Sequence, residues 1–179
     1  MNRIQIEPEK LLIRAVNLWK NQWLVLTSGD YNKGDYNAMT VAWGSFGVMW
    51  NKPFAQVVVR PTRFTHQFME KYDSFSLCAF SSSYQQALSL LGSKSGRNTD
   101  KIKQSGLTPI SSHKIAAPCF KEAELIIECQ KIYWDDFRPE HFLENEIEKN
   151  YPKKDYHRIY YGEMVTILGD DKFRFKMLI

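Results

Sequence analysis

Residues 37–65, NAMTVAWGSFGVMWNKPFAQVVVRPTRFT, hold two strand-like apolar runs and end in an abrupt cluster of cations and hydroxyls. Across residues 37–43 the side chains alternate, with Met39, Val41 and Trp43 on one side and Ala38, Thr40 and Ala42 on the other. That period of two predicts a β-strand, which Gly44 and Gly47 are expected to bend or bulge. Residues 55–59, AQVVV, are a β-branched run that Pro61 must end, because proline has no N–H to give to a ladder. A sheet therefore stops at Arg60, and the cluster RPTRFT begins where it stops.

Working outward, residues 23–29 (WLVLTSG) read as a strand closed by the turn-rich DYNKGDYN. Thr65 is expected to N-cap a short helix, HQFMEKY, and a strand, SFSLCAF, follows it. The segment SYQQALSLLG is expected to be helical and to stop at Gly92, with a second helix restarting at Asp100. In EAELIIECQKIY, Glu124, Ile126 and Glu128 alternate with Leu125, Ile127 and Cys129, which predicts a strand with one wet face. YYGEMVTILGD is the last strand, and residues 135–158 before it form a polar, irregular surface excursion. Five to seven strands without a βαβ rhythm predict a mainly β fold, an antiparallel barrel or sandwich with helical excursions.

The 179 residues contain no repeat, low-complexity tract or linker, so one domain spanning 1–179 is expected. The net charge of +4 is spread without a basic run. Nucleic acid is therefore not an expected partner, and the mild excess suits a small anionic ligand instead. Cys78, Cys119 and Cys129 make an odd count without a C-x-x-C pair, which argues against a disulfide framework or a zinc ribbon. The start MNRIQIEPEK has no apolar leader and no run of eighteen apolar residues occurs, so no membrane partner is expected and the cytoplasm is the expected location.

Three polar clusters interrupt the scaffold: NAMT, RPTRFT and GSKSGRNTDK. Thr62, Thr65, Ser93 and Ser95 offer hydroxyls, and Arg60, Arg63, Lys94, Arg97 and Lys101 offer charge. Gly92 and Gly96 let backbone amides approach closely, so together the clusters could hold a phosphate. For any one cluster alone, a solvated turn with ordinary caps is the commoner explanation. Walker A, G-x-G-x-x-G, H-E-x-x-H and G-x-S-x-G patterns are all absent, so neither a catalytic side chain nor a metal set is expected. His157 is expected to be a hydrogen-bonded structural residue, and Cys78 a core residue.

In order along the chain, the motifs N-x-M-T-x-[AS]-W, V-R-P-x-R-[FY]-T and S-G-R-x-x-D-K, followed by HRIYYGEMV, resemble those of the flavin reductase-like family of FMN-binding split barrels, and within it the flavoredoxin-like branch. The resemblance implies a Greek-key antiparallel barrel with short helical insertions, assembled as a homodimer with non-covalent FMN near the dimer interface. It implies that Asn37, Met39, Thr40, Val41, Ala42 and Trp43 line the isoalloxazine ring, the Thr40 hydroxyl meeting its polar edge. Arg60, Thr62, Arg63 and Thr65 would face the ribityl phosphate, joined by Ser93, Lys94 and Arg97, while Asp100 and Lys101 brace that loop. The implied activity is that of an oxidoreductase in which NAD(P)H reduces FMN and the flavin passes electrons to a further acceptor, the cofactor carrying the chemistry. The alternatives are an FMN electron-transfer protein reduced by a protein partner, and a flavin-free binding module using the same pocket.

Overall fold

The structure, a computed structural model, describes residues 2–176. These residues form ten strands: β1 (Ile4–Gln5), β2 (Leu24–Asp30), β3 (Asp35–Val41), β4 (Gly44–Met49), β5 (Lys52–Val59), β6 (Ser74–Ala79), β7 (Pro109–Ile110), β8 (Cys119–Phe120), β9 (Leu125–Asp136) and β10 (Arg158–Gly169). Five α-helices lie between them: α1 (Ala15–Asn17), α2 (Phe64–Lys71), α3 (Gln85–Ser93), α4 (Lys101–Ser105) and α5 (Asn145–Glu148). Seven strands follow the order β3-β2-β6-β9-β10-β5-β4, all antiparallel, with β1 added beside the end of β10 and β7–β8 forming a separate ladder. The mainly β, antiparallel architecture with short helical insertions is the one expected.

β3 and β4 are separated in sequence only by Ala42 and Trp43, yet they are the two edges of the path, and the barrel is split between them. The run from Asn37 is thus not one bent strand but two strands that part at residues 42–43. Gly44 makes the parting sterically feasible. A Cβ there would lie 2.4 Å from the Gln56 carbonyl oxygen and 2.5 Å from the Trp19 ring, which packs against Phe46 at 5.2 Å between centroids.

The alternation read from the sequence is explained by two cores, one on each face of the sheet. Leu24, Leu26, Met39, Val41, Val57, Val59, Phe75, Leu77, Leu125 and Ile127 fill the barrel interior. The intervening Val25, Ala38, Cys78 and Ile126 face outward and pack under Leu88 and Leu91 of α3, Ile102 of α4 and Phe120 of β8. Each large apolar side chain removed from water in this way is worth roughly 1.5–3 kcal/mol, so a one-residue register slip would exchange the two cores and is strongly disfavoured.

Three local expectations need correction. α2 begins at Phe64 with Arg63 at its N-cap position, so Thr65 lies inside the first turn, buried, rather than capping it. α3 continues through Gly92 and ends at Ser93; Gly92 is there because a Cβ would press on Thr40 at 3.2 Å. The outer face of β9 is not wet, since Ile126 and Glu128 are both fully buried. The segment between β7 and β8 covers that face, and the Glu128 carboxylate holds it by accepting from the backbone N–H groups of His113 (2.8 Å) and Lys114 (2.7 Å). Alternation reports that a strand has two faces, not what lies on each.

Glu128→Gln is expected to lower stability by roughly 2–3 kcal/mol, because an amide offers one oxygen to two backbone donors and turns an N–H toward one of them. Urea unfolding checks this; a midpoint equal to that of the parent chain would show that the carboxylate does not anchor residues 111–118.

Candidate functional site

Where β5 ends, the chain turns through Arg60 and Pro61 into α2, and the loop between α3 and α4 folds back over that turn. Together they enclose a pocket of about 130 Å³, lined by Thr62, Arg63, Thr65, Ser93, Lys94 and Arg97 together with Phe64, Ser95 and Lys101. Six of the thirteen residues expected at the site therefore converge on a volume of anion size. Arg63 donates to the Gly92 carbonyl. Arg97 donates to the Thr62 carbonyl at 3.1 Å and lies over the Phe64 ring, tying the loop to the turn. The Ser93 hydroxyl donates to Ser89 at 2.8 Å, so toward the pocket it offers its oxygen.

Lys101 is only 3% exposed. It braces the loop, donating from Nζ to the carbonyls of Leu91 (2.9 Å) and Lys94 (3.1 Å), while Asp100 caps α4 by accepting from the Lys103 N–H at 3.0 Å. An ammonium has three donors, and two are used within the loop. Among the described residues neither Lys101 nor Arg63 has a carboxylate within ion-pair distance. Burial, and then the Arg63 charge, push the Lys101 ammonium down to about 8. Burial, and then Arg60, lower Arg63 as well. Two poorly solvated cations without an acid are expensive unless an anion joins them.

The other half of the expected site forms a second pocket, of about 230 Å³, lined by Met39, Thr40, Val41, Ala42, Trp43, Val58, Arg60 and His157. It lies on the free edge of β3, with the half-exposed Trp43 indole 5.1 Å from the His157 ring. Met39 and Val41 turn their side chains into the barrel core, so these residues face the pocket through their backbone. Gly92 stands close to residues of both pockets: a Cβ on it would lie 3.2 Å from Thr40, and its carbonyl accepts from Arg63.

Three placements differ from the expectation. Asn37 lines neither pocket, and donates to Thr65 Oγ1 at 2.7 Å rather than joining the residue 39–43 pocket. The Thr40 hydroxyl spends its proton on the Leu88 carbonyl, leaving only its lone pairs for a ligand. Arg60 lines the β3-edge pocket instead of the phosphate-sized one, because Asp155 (3.2 Å), the Asn150 carbonyl (2.7 Å) and the Tyr151 ring (4.9 Å) draw it there.

His157 was not expected at a site. It arrives at the end of the 137–157 excursion, 9% exposed, with Nδ1 hydrogen-bonded to the Tyr151 hydroxyl at 2.8 Å. Burial, reinforced by Arg60, lowers it to about 4, so it is neutral near pH 7. No local pattern around residue 157 signals this role; only the fold of the excursion does. Cys78 is fully buried in the outer core, and burial raises its thiol, which leaves it a packing residue.

The sequence profile of the family described as "Flavin reductase like domain" matches residues 19–174. An uncharacterized protein of Pyrococcus abyssi is 33% identical over 95 residues, 52% of this chain, and the match spans only 53% of that relative, about half its length. The fold is similar to an FMN-binding domain of a flavin reductases-like enzyme from Shewanella baltica, with a TM-score of 0.69, 18% identity, and coverage of 96% of this chain and 78% of that one. It is also similar to flavoredoxin from Methanosarcina acetivorans, with a TM-score of 0.64, 21% identity, and coverage of 100% and 79%.

The depressed Lys101 ammonium has a measurable consequence without ligand. Between about pH 8 and the ordinary lysine range the unfolded chain binds a proton that the folded chain does not, so this residue makes stability rise with pH there. The stability difference between the parent chain and Lys101→Met should therefore shift by about 2 kcal/mol in the parent's favour from pH 7.5 to pH 9.5, read by urea unfolding at both values. A constant difference would place Lys101 in ordinary solvent.

Proposed function

Because the chain belongs to the flavin reductase-like family, we propose that it is an FMN-binding oxidoreductase, reduced by NAD(P)H and passing electrons from its flavin to a further acceptor. The observation that carries the reading is the pair of acid-free cations, Arg63 and Lys101, in a phosphate-sized pocket, accompanied by a second pocket on a strand edge. A phosphate dianion supplies the countercharge that these cations lack, and the first turn of α2 adds backbone N–H groups at its positive end.

In this reading Arg63, Lys101, Thr62, Thr65, Ser93, Lys94 and Arg97 hold the phosphate. The backbone of residues 39–42, with Trp43, Val58 and His157, walls the ring. FMN, when bound, supplies the capacity to accept and release electron pairs. The chain's own contributions are placement and polarity. β3 has a free edge, and edge strands carry backbone groups that no ladder uses, which suits the polar rim of a flat heterocycle. His157, neutral and held by Tyr151, adds a hydrogen-bonding ring without a charge. The half-exposed Trp43 leaves the pocket open on one side, where a nicotinamide ring can stack.

The protein is, in the same reading, a homodimer. Phe54 of β5, Tyr133 of β9, Tyr161 of β10 and Trp50 of the β4–β5 turn form one aromatic cluster, with centroids 5.1–6.5 Å apart along its contacts. Trp50, 58% exposed, sits at the β4–β5 hairpin tip with φ 53°, a backbone conformation that bulky side chains rarely adopt. Trp50 and Tyr133 expose much of this cluster, which favours a protein contact, and a second copy is always available. A cytoplasmic location fits the three free, buried thiols.

Two measurements check these readings. With FMN bound and oxygen excluded, NADPH or NADH should bleach the flavin's blue-light absorption band within seconds. A flavin that dithionite bleaches but neither nucleotide does would assign the chain to the flavoredoxin-type electron carriers reduced by a protein partner. Sedimentation velocity should show a dimer at micromolar concentration, converted to monomer by Trp50→Glu; a monomeric parent chain would remove the dimer proposal.

A further inference from the structure

Four hydroxyls line the phosphate-sized pocket, and Thr65 carries the most deeply buried of them, on a residue only 1% exposed. The other three are committed or solvated. Thr62 Oγ1 reaches the Asp155 carboxylate at 3.4 Å, Ser93 donates to the Ser89 carbonyl at 2.8 Å, and Ser95 Oγ accepts from the Arg97 N–H at 3.3 Å. Thr65 Oγ1 instead accepts from Asn37, and among the described residues its own proton has no acceptor. A buried hydroxyl proton left without an acceptor costs free energy unless something completes it.

Asn37 fixes this polarity. It lies on β3, 4% exposed, with Nδ2 2.7 Å from Thr65 Oγ1 and 3.4 Å from the Ala38 carbonyl. A carbonyl oxygen can only accept, so the amide turns its nitrogen, not its oxygen, toward both groups. The Thr65 oxygen is thereby held as an acceptor from Asn37, and its single proton is turned away from the amide. Thr65 borders the phosphate-sized pocket and Asn37 does not. The amide oxygen is occupied in its own way: a Cβ on Gly96 would lie 2.4 Å from Oδ1, so the loop between α3 and α4 is seated directly on Asn37.

We propose that Asn37 is a positioning residue for the phosphate end of the ligand: without touching the ligand, it makes Thr65 a hydrogen-bond donor to an oxyanion. The inference rests on the reading of the pocket as the seat of a flavin phosphate. It replaces the ring contact that the sequence resemblance implies for Asn37. A threonine hydroxyl can donate or accept, and the difference decides its effect on an anion. Turned proton-first, it adds a charge-assisted bond beside Arg63 and Lys101; turned oxygen-first, it sets a lone pair against a phosphate oxygen. Asn37 removes the second orientation before any ligand arrives.

Fluorescence titration of the apoprotein with FMN, and with riboflavin, which lacks the phosphate, tests this. Thr65→Val removes the hydroxyl at nearly constant shape and should weaken FMN binding about tenfold, while Thr65→Ser should hold it within about threefold of the parent. Asn37→Asp keeps the shape of the amide but, ionised, can only accept, so it draws the Thr65 proton away from the pocket and should weaken FMN at least as much. With that proton already claimed, adding Thr65→Val should cost less than about twofold further. The uncharged Asn37→Leu should repeat the FMN loss at about threefold, and no variant should move riboflavin affinity beyond about twofold. The double-variant comparison is read on FMN alone, so it stands even where riboflavin binds too weakly to titrate. Penalties that add in the double variant, or an equal loss for both flavins in the Asn37 variants, overturn the inference while leaving the FMN site intact. Failure of FMN to bind the parent chain overturns the flavin reading and this inference with it.

Discussion

The site depends on a pairing that is not made. β3 and β4 follow each other in the chain with two residues between them, the arrangement that ordinarily closes a hairpin, yet they end up on opposite edges of a seven-strand path. Gly44 permits the departure because the Trp19 ring and the Gln56 carbonyl occupy the space that any side chain there would need. The consequence is a strand edge without a ladder at residues 39–43, flanked by helix α3, whose Leu88 carbonyl accepts from Thr40. An unpaired edge is a liability in most sheets, inviting association with another strand. Here α3 and the 137–157 excursion narrow it to a pocket, so its free backbone groups are offered to a small ligand rather than to a neighbouring chain.

A second constraint is electrostatic. Lys101 donates to two carbonyls that would otherwise be left at the C-terminal end of α3, and this fixes the loop of residues 94–100 over the start of α2. The geometry buries an ammonium beside a guanidinium with no carboxylate to offset either. Such an arrangement persists in a folded chain because the surrounding structure over-determines it, and it is relieved when an anion enters. The loop geometry and the appetite for an anion thus have one cause.

The legibility of these features in the sequence follows the range of the interactions that create them. Strand alternation at residues 37–43 and 125–129 is local, and both stretches form strands with two faces as read. The cover over Glu128 is not local, because it is delivered by residues 113 and 114 from a different connection. The cluster RPTRFT announced cations and hydroxyls through its residue types, and Thr62, Arg63 and Thr65 do line one pocket. It could not announce that Arg60 and Arg63 part company, since the acid that claims Arg60 lies 95 positions away at Asp155. Lys101 was legible as a brace but not as a buried charge, and His157 carried no signal until Tyr151 and Trp43 were found against it.

That separation of Arg60 from Arg63 gives the site its polarity. Both belong to one turn, and an extended RPTR segment would present two equivalent cations. The 137–157 excursion places Asp155 against Arg60 and within 3.4 Å of Thr62 Oγ1, so the charge on the β3-edge side is paired while the charge on the phosphate side is not. Burial beside Arg60 also holds His157 neutral, which removes the other cation that could have formed in that pocket near pH 7. One recess is therefore close to electroneutral and walled by indole and imidazole rings, and its neighbour carries uncompensated positive charge. A ligand with a flat, uncharged ring at one end and a dianion at the other would be oriented by this difference alone, before any hydrogen bond to the ring is made, because the reversed pose would set a phosphate beside the Asp155 carboxylate and leave the buried Lys101 and half-buried Arg63 unmatched.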